Sequence, residues 1–164
     1  MAFRIAVFPG TFDPPTFGHL DIINRSRRLF GKTIVAVGRN PEKEPLFTED
    51  ERVAMLKQLL GDYPDLEVES YSGLTMDFVR ARQAHVIIKG IRDSDDLRYE
   101  LQQANVNMIA GGVETVFLFT TDQNALISST LIRQIFEMGG KDSGHLDRLI
   151  PALVIDRMRE KLRR

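Results

Sequence analysis

A turn between an apolar run and a predicted helix contains the residues best suited to phosphate chemistry. From Phe8 to His19 the chain reads Phe-Pro-Gly-Thr-Phe-Asp-Pro-Pro-Thr-Phe-Gly-His. Exposed backbone N–H groups and the helix dipole favour an anion at such a strand-to-helix junction. His19 lies on the first helical turn, where its imidazole can be aimed at the anion, and Thr11 adds a hydroxyl. The pattern predicts a phosphate site without a phosphate-loop lysine, although an ordinary tight turn with a surface histidine has the same composition.

A second candidate segment, residues 39–48, follows the second predicted strand. Pro41 and Pro45 restrict this loop, which presents Lys43 toward the ends of the strands. Lysines are mostly exposed and solvated, so Lys43 on its own is more typical of a surface residue. Its assignment to a phosphate depends on the resemblance given below.

The third segment joins the fourth predicted strand to the next helix. The strand leads into Lys89-Gly90-Ile91-Arg92, of which Lys89 is its last residue. At helical spacing, one polar stripe follows, made of Asp96, Glu100, Gln103 and Asn107. A separate apolar stripe contains Leu97, Leu101, Ala104 and Met108. The polar stripe is either a solvated surface or one wall of a site.

The fourth segment, Ile127–Arg133, reads Ile-Ser-Ser-Thr-Leu-Ile-Arg. It places three hydroxyls, those of Ser128, Ser129 and Thr130, at a predicted helix N-terminus. Free amides and hydroxyls there suit phosphate oxygens. Ser128 could equally serve only as an N-cap.

Strands and helices alternate along the chain. The predicted strands are 3–8, 33–38, 67–71, 85–89 and 114–120, and the predicted helices are 18–30, 49–60, 74–84, 95–110 and 128–138, with a further helix after Pro151. Apolar runs such as Val86-Ile87-Ile88 lack strict alternation, as expected of strands buried on both faces of a parallel sheet. We therefore predict an α/β fold with a doubly wound, five-stranded parallel sheet and an appended C-terminal helix. All four candidate segments then meet at the carboxyl ends of the strands.

The composition indicates one globular domain spanning residues 1–164, with 43% hydrophobic and 27% charged residues. The net charge of −1 gives no general attraction to nucleic acid or to an anionic membrane. The absence of cysteine excludes a disulfide framework and thiolate zinc sites, and the three histidines are too far apart to form a metal motif. The first residues lead into a strand pattern without a signal peptide or membrane helix, which predicts a cytoplasmic location.

Together the four segments resemble one family. Gly-Thr-Phe-Asp-Pro before Thr-Phe-Gly-His is similar to the signature of the cytidylyltransferase-like nucleotidyltransferases. The loop around Lys43, and Lys-Gly-Ile-Arg followed by Asp-x-x-Tyr-Glu-x-Gln and Asn, resemble the phosphopantetheine adenylyltransferase branch over nearly the whole chain. The resemblance implies a Rossmann-like fold and adenylyl transfer from ATP to 4′-phosphopantetheine, giving dephospho-CoA and pyrophosphate. It also implies Mg²⁺ bound mainly through the ATP phosphates, a homohexamer, and inhibition by CoA.

The resemblance also assigns roles to single residues. The catalytic set is Thr11, His19, Lys43 and Arg92. His19 meets the α-phosphate in the transition state, Thr11 and Lys43 hold the attacking phosphate with help from Lys89, Arg92 and Ser128 to Thr130 hold the leaving phosphates, and Glu100 faces the nucleotide sugar. Further ATP contacts are implied for Phe12, Gly90, Ile91, Asn124, Ala125, Leu126 and Ile127, and the pantetheine arm is lined by Leu74, Thr75 and Asn107.

Two departures from the family pattern leave alternatives open. The family usually has an aromatic, a serine and a phenylalanine where this chain has Asn124-Ala125-Leu126, so its adenine contact differs. Arg133 is typical of nicotinate mononucleotide adenylyltransferases, which are the alternative enzyme. A non-catalytic protein that binds CoA or a nucleotide is the alternative from another class, but it would not need His19, Lys43 and Arg92 at one centre.

Overall fold

A computed structural model describes residues 4–40, 44–120, 128–139, 144 and 146–162. In chain order the elements are β1 (Ile5–Gly10), α1 (Phe17–Leu29), β2 (Lys32–Val37), α2 (Glu49–Leu60), β3 (Leu66–Ser70), α3 (Thr75–Ala81), β4 (Val86–Ile91), α4 (Ser94–Gly111), β5 (Glu114–Phe119), α5 (Ser129–Glu137) and α6 (Ala152–Leu162). Each predicted element is present. Helix α3 ends three residues before the predicted position 84, because Gln83 takes a φ of 52°, which a right-handed helix does not continue.

The five strands form one sheet in the order β3-β2-β1-β4-β5, and every neighbouring pair is parallel. The chain winds outward from β1 through β2 to β3, then returns beside β1 at β4 and winds the other way to β5. This is the predicted doubly wound α/β arrangement. Its switch point, where ligands bind in such sheets, lies between β1 and β4.

Strand β1 continues through Pro9 and Gly10, two residues beyond its predicted end. It pairs with β2 along all six residues but with β4 only at Ala6 and Val7. The Gly10 carbonyl accepts from the Gly38 N–H on the β2 side, so Pro9, one residue earlier, faces β4, where pairing has already stopped. The missing N–H of Pro9 therefore leaves no ladder bond unmade, and a cleft opens between the two strands.

Three groups of buried side chains hold the layers together. One face of the sheet packs on α1 and α2 through residues such as Ile22, Ile23 and Leu56, and the other face packs on α3 through Val79. The predicted C-terminal helix is present as α6. It packs against α2 and α5 in a third cluster formed by Phe47, Met55, Ile132, Phe136, Leu146, Ile150, Val154, Ile155 and Met158.

Helix α4 differs from the other helices because none of its residues is buried. It contacts β4 and β5, yet Leu101 and Met108 of its apolar stripe remain exposed. Among the helices of the described ranges, none has the length and apolar character needed to cross a membrane.

Candidate active site

A cavity of about 360 Å³ opens at the switch point of the sheet. Its walls come from the carboxyl ends of β1 and β4 and from the first turns of α1 and α4. Of the predicted site residues it is lined by Thr11, Phe12, His19, Lys89, Gly90, Arg92, Glu100 and Ser128. The structure therefore brings together residues from three of the four candidate segments.

The orientation of His19 is set by the residue that caps α1. Thr16 is the N-cap, and its backbone N–H donates to His19 Nδ1 at 3.0 Å, while its hydroxyl oxygen lies 3.1 Å from the same atom. Because Nδ1 accepts the main-chain N–H, the proton of the neutral ring is carried by Nε2. Sequence analysis missed this role of Thr16, although Thr-x-x-His has the spacing of a capping box with histidine in place of glutamate.

The His19 ring is electrically neutral at neutral pH. Burial, with a smaller contribution from the positive charge of Arg92, lowers the pKa of His19 from 6.5 to about 4. The Phe12 ring packs against the imidazole in an edge-to-face arrangement, with a centroid distance of 5.0 Å. His19 therefore offers the cavity one neutral N–H donor rather than a positive charge.

Two ion pairs at the cavity join α4 to Lys89 of β4 and to Arg92, which directly follows that strand. Arg92 Nε lies 2.7 Å from Asp96 Oδ2, and Arg92 Nη2 lies 2.8 Å from Asp96 Oδ1. Hydrogen bonding between them raises the pKa of Arg92 and lowers that of Asp96. Since this pair uses only two of the five guanidinium donors, others are left for a ligand. Lys89 Nζ lies 3.1 Å from Glu100 Oε2.

A smaller pocket of about 40 Å³ adjoins the cavity and shares Thr11 with it. Its lining includes three arginines, Arg39, Arg52 and Arg133, together with the hydroxyl residues Ser129 and Thr130. Among the fourth-segment hydroxyls, Ser128 Oγ accepts the Leu131 N–H at 3.1 Å as the N-cap of α5, and Ser129 Oγ donates to the Pro14 carbonyl at 2.8 Å. Thr130 is exposed.

Two further side chains hold the loops of this pocket, and sequence analysis did not identify either role. Asp13 accepts from the N–H groups of Leu46 and Phe47 at 2.8 and 3.0 Å and from Arg133 at 3.0 Å. Arg52, 2% exposed, donates to four main-chain carbonyls. The acceptors are those of Thr11, Gly38, Phe47 and Thr48.

Several predicted contacts lie apart from the two cavities. Leu74, Thr75 and Asn107 line neither of them, and the Thr75 hydroxyl lies 2.8 Å from the Tyr71 hydroxyl. Ile91 is 1% exposed and does not line the larger cavity, and Phe12, which does line it, is also only 1% exposed. Lys43 and the run Asn124–Ile127 fall outside the described residues, so their roles stay predictions.

In the described ranges, no group of three or more histidine, cysteine, aspartate or glutamate side chains is placed to hold a metal ion. The carboxylates nearest the cavities, those of Asp13, Asp96 and Glu100, each have a cationic partner.

Comparison with known proteins identifies the family. The cytidylyltransferase-like family model matches residues 7–135, which include both cavities. The phosphopantetheine adenylyltransferase of Synechococcus sp. strain JA-3-3Ab is 44% identical over 96% of this chain and 97% of its own length. That of Caldanaerobacter subterraneus subsp. tengcongensis is 42% identical over 98% and 99%, respectively. This chain belongs to the phosphopantetheine adenylyltransferase family.

As a member of the phosphopantetheine adenylyltransferase family, the chain is a nucleotidyltransferase. The same fold is also found in proteins outside this family. The nicotinic acid mononucleotide adenylyltransferase of Plasmodium falciparum, solved in complex with NaAD, superposes with a TM-score of 0.71 over 96% of this chain and 95% of that one. At 14% identity this likeness shows the common fold alone.

Proposed function

We propose that this chain transfers the adenylyl group of ATP to 4′-phosphopantetheine, giving dephospho-CoA and pyrophosphate as a step in CoA biosynthesis. The observation that carries the proposal is the cavity that gathers His19, Thr11, Lys89 and Arg92 at the switch point of the sheet. The family to which the chain belongs supplies the identity of the two substrates.

The reaction needs no covalent intermediate on the protein. An oxygen of the acceptor phosphate attacks the α-phosphorus of ATP, and the bond from that phosphorus to the oxygen bridging to the β-phosphate breaks in line. The attacking group is already ionised and pyrophosphate leaves as an anion, so the protein need not accept or donate a proton. Catalysis then consists of positioning and of stabilising the charge that develops on the transferred group.

The proposed roles follow the arrangement of donors. The Nε2–H of His19 donates to a non-bridging oxygen of the α-phosphate in the transition state. Arg92 holds the leaving phosphates through the guanidinium donors that Asp96 does not use. The first turn of α5 completes that phosphate site with its amides and the residues Ser128, Ser129 and Thr130.

The remaining proposed contacts divide between the two substrates. Thr11, Lys43 and Lys89 bind the acceptor phosphate, while Leu74, Thr75 and Asn107 line the pantetheine arm. Glu100 faces the sugar, and the ATP site is completed by Phe12, Gly90, Ile91, Asn124, Ala125, Leu126 and Ile127. Glu100, on the ATP side, is paired with Lys89, on the acceptor side. Binding of one substrate would therefore change the position of a residue that contacts the other.

Mg²⁺ enters this proposal with ATP. The described residues include no cluster of carboxylate or imidazole ligands for a metal, so the phosphates themselves would provide most of its ligands. When bound, the ion would neutralise charge on the leaving pyrophosphate.

The Arg133–Asp13 ion pair bears on the alternative substrate, nicotinate mononucleotide. Arg133 was the feature that favoured that alternative, but its guanidinium is directed at the Asp13 carboxylate and the Glu44 carbonyl. Arg133 therefore has a role in the fold that requires no nicotinate ligand. The relatives at 42–44% identity support phosphopantetheine as the acceptor.

A turnover assay tests the proposal and both alternatives. Purified protein is incubated with ATP, Mg²⁺ and either 4′-phosphopantetheine or nicotinate mononucleotide, and pyrophosphate and the adenylylated product are quantified. We expect turnover with phosphopantetheine only. Turnover only with the nicotinate compound would assign the alternative enzyme, and binding of both substrates without pyrophosphate release would indicate a non-catalytic binder. The His19→Ala protein, purified in parallel, controls for contaminating activity.

We further propose that residues 1–164 form one domain and that the protein is a cytoplasmic homohexamer, which CoA inhibits. Helix α4 supports assembly, since it presents the exposed apolar side chains of Tyr99, Leu101, Val106, Met108 and Ile109. Neither nucleic acid nor membrane is a proposed partner.

A further inference from the structure

Asp13 is a buried carboxylate that joins two distant parts of the chain. It is only 5% exposed. Its Oδ2 accepts from the Leu46 N–H at 2.8 Å and lies 3.0 Å from Arg133 Nη1, and its Oδ1 accepts from the Phe47 N–H at 3.0 Å. Carboxylates that accept several such bonds are held in a single orientation. Asp13 thereby fixes residues 46–47 against the turn that precedes α1.

Arg133 holds the same loop at a second point. Its Nη1 also donates to the Glu44 carbonyl at 3.3 Å, so Asp13 and Arg133 together contact the loop at residues 44, 46 and 47. Glu44 is the residue that follows Lys43. Arg133 itself belongs to α5, one turn after Ser129 and Thr130.

We propose that Asp13 and Arg133 form a positioning pair that fixes residues 44–47, which directly follow Lys43 in the chain, against α5. The inference rests on the proposed function, because that function gives Lys43 its acceptor. Neither member of the pair needs to touch the substrate. If the loop is loosened, acceptor binding must supply the free energy to order it, and the affinity for the acceptor falls. The ATP contacts on β4 and α4 are unaffected.

The variants that test the pair are chosen at Arg133. Arg133→Met removes the charge and both hydrogen bonds but keeps a long apolar stem. Arg133→Lys keeps the charge and one donor group. Arg157→Met is the matched control, since Arg157 pairs with Glu160 in an exposed contact on α6.

The measurements are the KM for each substrate, kcat, the thermal midpoint, and calorimetric affinity for 4′-phosphopantetheine in the absence of ATP. For Arg133→Met we expect the acceptor KM and Kd to rise roughly tenfold, because binding must then order the loosened loop, with the ATP KM within about twofold. Lys43→Ala should shift the same acceptor constants. Arg133→Lys should recover most of the loss, and Arg157→Met should match the wild type.

An unchanged acceptor constant in Arg133→Met would overturn the proposal. So would an equal rise in both KM values, which would indicate general loosening of the site. If Arg133→Met does not fold, Asp13→Asn takes its place, with the same expectation for the acceptor constants. A wild type that neither binds nor adenylylates phosphopantetheine would instead refute the proposed function.

Discussion

His19 acts through one ring nitrogen because the other is already engaged. The Thr16 N–H occupies Nδ1, so Nε2–H is the donor that faces the cavity. A donor held in place before the reaction costs no reorganisation when charge develops on the transferred phosphate. The contribution of His19 should therefore appear in the rate rather than in ATP affinity.

His19→Ala tests this separation. We expect kcat to fall by about two to three orders of magnitude, comparable to the loss of one oxyanion-hole donor, while the ATP Kd changes little. His19→Gln offers an amide N–H near the position of Nε2 and should retain more activity than the alanine variant. Rates come from steady-state kinetics and the Kd from calorimetry; near-normal turnover in His19→Ala would remove the residue from the mechanism.

The ionisation of His19 gives a second prediction. Its pKa lies at about 4 in the folded protein against an ordinary value of 6.5, so the unfolded chain binds a proton more readily between these values. The contribution of this group to stability is thus fully present above pH 6.5 and is lost as the pH falls toward 4.

Nitrogen NMR of the ¹⁵N-labelled imidazoles checks both points, with the His19→Gln spectrum used for assignment. We expect the His19 signals to show an unprotonated Nδ1 and a protonated Nε2 at pH 7, and to titrate well below pH 6. Urea unfolding should show a smaller stability loss between pH 6.5 and 4 for His19→Gln than for the wild type. A ring that titrates near 6.5 would contradict the neutral-donor role.

The loops of the site depend on the position of α2. Arg52 lies on the first turns of this helix and donates to the carbonyls of Thr11 at 2.5 Å, Gly38 at 2.8 Å and Phe47 at 3.1 Å. One buried guanidinium therefore joins the loops after β1 and β2 to the start of α2. Its removal would leave buried carbonyls without a donor.

Arg52→Met should lower the free energy of unfolding by about 3 kcal/mol, since each unsatisfied buried polar group costs about 1–3 kcal/mol. Arg28→Met is the control, because Arg28 is exposed on α1 and substitutions at such positions usually change stability by no more than about 0.5 kcal/mol. Urea denaturation followed by circular dichroism gives both values. Equal losses in the two variants would show that the Arg52 contacts do not stabilise the fold.

The elements were predictable from sequence because their signals are local. The apolar run at Val86–Ile88 predicted β4 correctly, and α2 begins at the predicted residue 49, where the structure shows a capping box at Thr48. The predicted end of β1 was wrong, because a proline normally stops a strand. Pro9 continues β1 because it faces β4 at a point where the two strands no longer pair. Helix α3 ended earlier than predicted because Gln83 has a positive φ, which cannot be predicted from a glutamine in the sequence.

Much of the site was predictable for the same reason. The order of strands and helices predicted that the loops after β1 and β4 would meet, and the structure places His19, Lys89 and Arg92 on one cavity. Asp13 and Arg52 were missed because many of their partners are main-chain atoms distant in sequence. A single aspartate or arginine carries no local pattern that indicates such a contact.

At the scale of the whole molecule, α4 is the element without a covered apolar face. It has no buried residue, and Ile109 is 87% exposed. Exposed apolar side chains in this number are typical of a surface that meets another protein surface. Asp96 and Glu100, on the polar side of the same helix, line the cavity. A subunit contact on the apolar side of α4 would therefore restrict the motion of one wall of the site.

Ile109→Asp should reduce the assembled mass, because a charge would be buried in the subunit contact. Met138→Asp is a matched control: Met138 is also 87% exposed but lies at the end of α5. Light scattering coupled to gel filtration measures the mass of both variants and of the wild type. Ile109→Asp with the mass of the wild type would show that this part of α4 lies outside any subunit contact.

Pro9 also keeps β1 and β4 from pairing further, because its ring nitrogen has no N–H to donate. Continued along the register of Ala6 with Val86 and Val7 with Ile87, the β1–β4 ladder would set Pro9 opposite Lys89. A residue with an N–H at position 9 would allow the two strands to pair one step further, at Lys89, which lines the cavity. Because Pro9 has no N–H, the ends of β1 and β4 stay separated in the protein without a ligand. Ligand binding therefore need not supply the free energy to separate the two strands.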